Sequence, residues 1–158
     1  MINEFAAAAF RSGHSMVPGK LDRLDQNFNL KSSVRMRDTF FKSSMLYQDG
    51  AVDEFVRGMS QQLGKGIDGN VVSDLSQQLF NSEPKTFGLD LSSLNIQRGR
   101  DHGLPGYMKY RRLCGLSTVN NFNELRNSNS LPDETINRLA SVYEYEFNLC
   151  ILFTISHY

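Results

Sequence analysis

The chain has 158 residues, 40% of them hydrophobic and 22% charged, ordinary values for a globular domain or a piece of a larger one. Its 17 basic and 17 acidic residues cancel, which argues against a nucleic-acid or other polyanion binder, since counterion release needs a basic excess. The two cysteines, Cys114 and Cys150, give neither a disulfide framework nor metal-ligand spacing.

In chain order the pattern is helical almost throughout, and the expected class is all-α. Glu4 to Ser12 holds four consecutive alanines between Phe5 and Phe10, strong helix formers with no breaker before Gly13. Gly13 and Pro18-Gly19 loosen the chain, and Leu21 to Lys31 reads as loop or short extended structure. A second helical region begins near Val34. Within it, Ala51 to Leu63 carries Val52, Phe55, Val56, Met59 and Leu63 as an apolar stripe at helical spacing. A third helix is expected over Val71 to Phe80, closed by Pro84.

Asp90 reads as the N-cap of a helix from Leu91 to about Arg100, because its carboxylate can accept from the free amides of the first turn. His102 to Gly106 is a turn, Tyr107 to Cys114 a helix stopping at Gly115, and Pro132-Asp133-Glu134 opens a last helix with Ile136, Leu139, Ala140 and Tyr143 inward. The longest apolar stretch, Leu149 to Ile155, is far short of the ~20 residues a membrane helix needs. Met1 to Phe10 lacks the basic leader and cleavage site of a signal peptide.

Three groups of residues invite a chemical reading. Arg98, Arg100, Lys109, Arg111 and Arg112 cluster with only Asp101 against them; they are either a solvated helix face or a pocket for a small dianion, and composition favours the solvated face. His14 follows Phe10 by one helical turn. An isolated histidine there is most often a core or capping residue, while a neutral imidazole on an apolar wall also suits axial ligation of iron. Leu91, Leu94, Asn95 and Arg98 share a helix face. That face is either exposed or supplies its arginine with an anionic partner, since a buried guanidinium needs one.

The run Asp90-Leu91-Ser92-Ser93-Leu94-Asn95-Ile96-Gln97-Arg98-Gly99-Arg100-Asp101-His102-Gly103-Leu104-Pro105-Gly106-Tyr107, followed by Arg111-Arg112-Leu113-Cys114-Gly115-Leu116, resembles the most characteristic stretch of the animal haem peroxidases. Ala9-Phe10-Arg11-Ser12-Gly13-His14-Ser15 resembles that family's proximal-histidine helix, and the two stretches occur in the family's order. The likeness runs from about residue 3 to 144, implying a mainly helical piece of a peroxidase domain over 1–144 and a divergent tail over 145–158.

The resemblance implies haem b as cofactor, with His14 as axial ligand of its iron. Asn95 matches the asparagine that accepts from the far nitrogen of that histidine, fixing its tautomer. Arg98 matches the arginine that pairs with a haem propionate. The same resemblance implies hydrogen peroxide as oxidant, halide, phenolic or similar small-molecule donors, a part in the response to oxidative stress, and an extracellular location for the parent protein. Arg100, Asp101 and His102 are explained as well by a salt bridge and a turn. Tyr107, Tyr110 and Phe122 read as core and not as electron relays, and Met16 matches no covalent haem link.

In the family, the distal histidine and arginine, the calcium-binding loop and the carboxylates that can esterify haem lie upstream of the proximal helix. None has a counterpart in this chain, and His102 and His157 lack the family setting of a distal base. The expectation is therefore a proximal, haem-binding half with little turnover of its own and no catalytic residues. The alternative is an inactive haem- or partner-binding fragment with an adhesive or immune role like that of the peroxinectins. The aromatic ending from Tyr145 points to a gene-model artefact, a retained intron or a truncated isoform.

Overall fold

The computed structural model describes residues 2–81, 87–128 and 131–143. The chain divides into two compact units, one formed by residues 13–93 and the other by residues 1–12 with 94–158. Among the described residues the structure is mostly helical with one small sheet. The expected tail, 145–158, lies outside the described residues.

The unit of residues 13–93 is built on an antiparallel hairpin, β1 (Lys20–Leu24) and β2 (Leu30–Arg35). Neither strand alternates cleanly in sequence, and β2 had been expected to run into a helix. The pairing is sustained from outside the hairpin by α2 (Ala51–Gln61), which packs on β1. Gln62, just past α2, accepts from the Asp22 amide at 3.2 Å and donates to the Lys20 carbonyl at 2.7 Å, while Arg57 donates to the Leu24 carbonyl at 3.0 Å. These side chains satisfy a strand edge that would otherwise need another strand or water. The hairpin turn is organised by Asp25, whose carboxylate accepts from the amides of Asn27 at 2.8 Å and Asn29 at 2.9 Å; the Asn29 amide, the largest influence, helps hold this carboxyl below its ordinary range. Phe28 adopts φ 62° there, a left-handed conformation that costs a bulky side chain free energy.

Helix α2 buries Ala51, Glu54, Phe55 and Gly58. Of the expected stripe only Phe55 is inside; Val52, Val56, Met59 and Leu63 are exposed. The reason is steric. A Cβ at Gly58 would lie 1.8 Å from the Asp22 carbonyl oxygen, so helix and strand meet through the glycine face and not through the broader valine face. Beside it Glu54, only 6% exposed, accepts from Arg23 of β1 at 2.7 Å and from Lys31 of β2 at 2.5 Å. The Lys31 ammonium, followed by Arg23, holds Glu54 below its ordinary pKa against the opposing effect of burial.

The helix expected over 71–80 shrinks to α3 (Ser73–Ser76). Leu79 instead pairs with Leu89 as an isolated bridge, and Phe80 takes φ 53°, so the backbone leaves the helix to make a longer-range pair. Asp74 on α3 is buried and accepts from the backbone amide of Arg37 at 3.1 Å and from its guanidinium. Burial pushes the Asp74 carboxyl up, but Arg37 outweighs it and the net shift is downward.

The other unit contains α1 (Asn3–Ala7) at its start. Its core lies where α5 (Tyr107–Leu113), α6 (Phe122–Asn127) and α7 (Asp133–Val142) contribute Met108, Leu125 and Ile136, joined by Leu131. Tyr107, Val119, Phe122 and Leu139 pack against that cluster. Ile136 and Leu139 are thus inward as expected, whereas Ala140 is exposed. Helix α6 had no expectation behind it; its cap is Asn121, which accepts from the Glu124 amide at 2.8 Å. Gly115, at φ 70°, stops α5 where anticipated. Helix α4 (Leu91–Asp101) continues the chain from one unit into the other. Asp90 caps it by accepting from the Ser92 amide at 2.8 Å and the Ser93 hydroxyl at 2.7 Å.

Candidate functional site

The alanine-rich start does not form one α-helix. After α1 the backbone tightens into a 3-10 segment, Ala9–Met16. In a 3-10 helix the side chains that eclipse are three apart, so Arg11 and His14 share a phase, and the expected pairing of His14 with Phe10 is lost. Phe10 is 66% exposed and stacks on Phe5, ring centroids 5.5 Å apart. His14 is partly buried, and its neighbour Ser15 is buried, its hydroxyl accepting from the Asp68 amide at 3.2 Å.

Helix α4 carries the other two residues singled out by sequence. It buries no large apolar side chain; its buried residues are Asn95 and Gly99. Asn95 is 0% exposed. Burying an amide this completely is costly unless its polar atoms are met, and Asn95 Oδ1 accepts from Arg11 Nη1 at 3.1 Å. The same guanidinium donates through Nε to the Ala6 carbonyl at 3.0 Å. One turn on from Asn95, Arg98 is exposed and meets no acid among the described residues. Asn95 and Arg98 therefore lie on one side of α4 in the unit that also holds Arg11, while His14 belongs to the unit of residues 13–93.

Arg11 is the residue that sequence reasoning passed over. It stood inside the quoted motif without a role, and its three-residue spacing from His14 was the available signal. The remaining candidates keep structural explanations. His102 is exposed, its Nδ1 2.5 Å from Asn3 Oδ1. Asp101 accepts from Gln97 at 2.9 Å. Arg111 donates to the Tyr107 hydroxyl at 3.0 Å and to the Ser117 carbonyl at 2.6 Å, whereas Arg100, Lys109 and Arg112 are exposed, as a solvated face requires. Met16 is exposed and Phe122 packs on the core. The Tyr110 hydroxyl is buried without a partner among the described residues; burial, with Glu4 adding to it, raises its pKa. Cys114 is exposed and free, and His157 lies outside the described residues.

The animal haem peroxidase family model matches residues 1–149. The chain belongs to that family. It is 38% identical to human peroxidasin homolog over 153 residues, which is 94% of this chain and 10% of that protein. It is 36% identical to mouse thyroid peroxidase over 152 residues, 93% of this chain and 16% of that protein. Mouse lactoperoxidase is 38% identical over 122 residues, 74% of this chain and 17% of that protein. The chain thus spans between about a tenth and a sixth of these relatives. Among solved structures it resembles peroxidase A from Dictyostelium discoideum with a TM-score of 0.83 and 30% identity, covering 99% of this chain and 30% of that one. It shares the fold of Oryza sativa fatty acid alpha-dioxygenase at a TM-score of 0.73 and 17% identity, covering 100% of this chain and 28% of that one. Among the described residues no helix is long and apolar enough to cross a membrane.

Proposed function

We propose that this chain supplies the proximal, haem-binding half of a peroxidase. The observation that carries the reading is Asn95: a fully buried amide, held through its oxygen by Arg11, on a helix that buries no large apolar side chain. Arg98, one turn away and without an acidic neighbour among the described residues, fits an anionic group such as a propionate. The donor set therefore suits haem b.

On this reading His14 would hold the haem iron, Asn95 would act as hydrogen-bond acceptor for its imidazole, which would fix the tautomer and raise the basicity, and Arg98 would pair with a propionate through a charge-assisted bond. When bound, haem supplies the redox chemistry that reduces hydrogen peroxide and oxidises a halide, phenol or similar donor. The setting of the parent protein is extracellular, and oxidative stress is the condition in which such an activity is called on. The partial domain covers 1–144 and the divergent tail 145–158; the calcium of the wider family has no ligand set assigned in this chain. Peroxide cleavage needs a base to take the peroxide proton, and the surface bond of His102 to Asn3 gives that histidine another place. The 158-residue chain by itself is accordingly expected to bind haem with little turnover.

Titration of the purified chain with hemin tests the reading. A defined Soret band that is lost in His14→Ala is expected. An identical spectrum in both proteins would remove His14 as ligand, and rapid peroxide-dependent oxidation of a phenol by the chain would remove the expectation of low turnover.

A further inference from the structure

We propose that the pocket beside the hairpin turn is a binding site for a carboxylate, held chiefly by Arg57. The pocket has a volume of about 480 Å³ and is lined by Asp25, Gln26, Asn27, Lys31, Glu54 and Arg57, all within the unit of residues 13–93. That volume falls within the range of small-molecule sites, about 300–1,000 Å³. None of the six is among the residues proposed to hold haem.

A polar pocket selects its ligand by the hydrogen-bonding capacity that its own residues leave unspent. The two acids have spent most of theirs. Glu54 is buried and accepts from Lys31 at 2.5 Å and from Arg23 at 2.7 Å. Asp25 accepts through Oδ1 from the amides of Asn27 and Asn29, and through Oδ2 from the Asn29 side chain at 3.4 Å. The donors have not. Lys31 carries three N–H groups, of which Glu54 takes one. Arg57 is half-buried and donates through Nε to the Leu24 carbonyl at 3.0 Å, but forms no ion pair among the described residues. That bond fixes the guanidinium plane and leaves both Nη groups, the edge of the fork that can hold a carboxylate by two parallel bonds. Such a surplus of donors suits a ligand rich in acceptors. Charge narrows the class: Arg23, Lys31 and Arg57 stand against Asp25 and Glu54, three cations to two acids, which matches a monoanion better than a phosphate dianion. Gln26 and Asn27, exposed at the rim, are placed to meet the polar body that carries the carboxylate. That body is either a free small acid or the C-terminus of a peptide.

The test is a nuclear magnetic resonance titration of the nitrogen-15-labelled full chain with acetate, N-acetylglycine and inorganic phosphate. Ionic strength is held constant and low, where exposed charges are least screened. Saturable shifts centred on the Asn27 and Lys31 amides and on the Arg57 Nε–H are expected with N-acetylglycine. Equal shifts with acetate assign the site to free small acids, and shifts with N-acetylglycine alone assign it to a peptide C-terminus. Arg57→Gln should weaken binding about tenfold or more, because a charge-assisted pair is lost. Arg57 also braces the Leu24 carbonyl, so Gln26→Glu, on the exposed turn, provides the comparison should Arg57→Gln fold poorly. Its added negative charge should weaken binding several-fold, while Gln26→Lys should tighten it. Phosphate binding as tightly as N-acetylglycine overturns the proposal, as does the lack of a saturable shift with either carboxylate. Binding of wild-type strength in both Gln26→Glu and Gln26→Lys overturns it as well.

Discussion

Helices α2 and α4 are each 11 residues long, yet they use their buried faces in opposite ways. Helix α2 packs Phe55 and Ala51 inward, brings Gly58 against the backbone of β1, and neutralises its one buried acid with Arg23 and Lys31. Helix α4 buries Asn95 and Gly99, and Arg11, from a distant part of the sequence, donates to the amide. A helix that covers a hairpin stabilises the fold by removing apolar area from water. A helix that buries an amide and a glycine removes less apolar area from water. The difference gives α2 a packing role and makes α4 the helix on which the proposed haem contacts are placed.

Substitutions should separate these roles. Phe55→Ala should cost about 3–5 kcal/mol of stability through the lost contacts and the cavity left behind, seen as a lower denaturation midpoint, with the Soret position of any folded, hemin-loaded protein unchanged. Gly58→Ala should cost about 1–3 kcal/mol or more, because its Cβ collides with a backbone carbonyl and not with a side chain that can move. Asn95→Ala should cost about 1–3 kcal/mol by leaving the part-buried Arg11 donor unmet, and unlike the two α2 changes it should alter the haem spectrum. Arg98→Ala should change stability by no more than about 0.5 kcal/mol, as an exposed residue does, while weakening hemin affinity. A larger spectral change from Phe55→Ala than from Asn95→Ala would reverse the assignment.

Acid should act on the α2 side of the comparison. Glu54 and Asp74 both have folded-state pKa values below their ordinary ones. Their contribution to stability is present above the unfolded values of about 4.3 and 3.9 and is lost as pH falls through the lower folded ones. Stability measured from neutral pH downward should hold and then decline below about pH 4.3, with a shallower decline in Glu54→Gln.

How much was legible in the sequence follows the range of the interactions involved. Helix α4 and its Asp90 cap were readable because the cap joins residues two and three apart. The stop at Gly115 was readable for the same reason. The hairpin was not, because Lys20–Leu24 and Leu30–Arg35 carry no strict alternation and are held by α2 from some thirty residues away. The shortening of α3 had the same cause, since Leu79 leaves the helix to pair with Leu89. At the site, Asn95 and Arg98 stand out as polar residues beside leucines, whereas the partnership of Arg11 with Asn95 spans 84 positions. Periodicity could not anticipate the switch from α to 3-10 geometry over Ala9–Met16.

The central claim is that His14 binds haem iron, and pulsed electron paramagnetic resonance on the ferric, hemin-loaded chain labelled with nitrogen-15 only in histidine tests it most directly. A hyperfine coupling from one histidine nitrogen, absent in His14→Ala, is the result the account predicts. A coupling that persists in His14→Ala, or no histidine coupling in the wild-type chain, would contradict it.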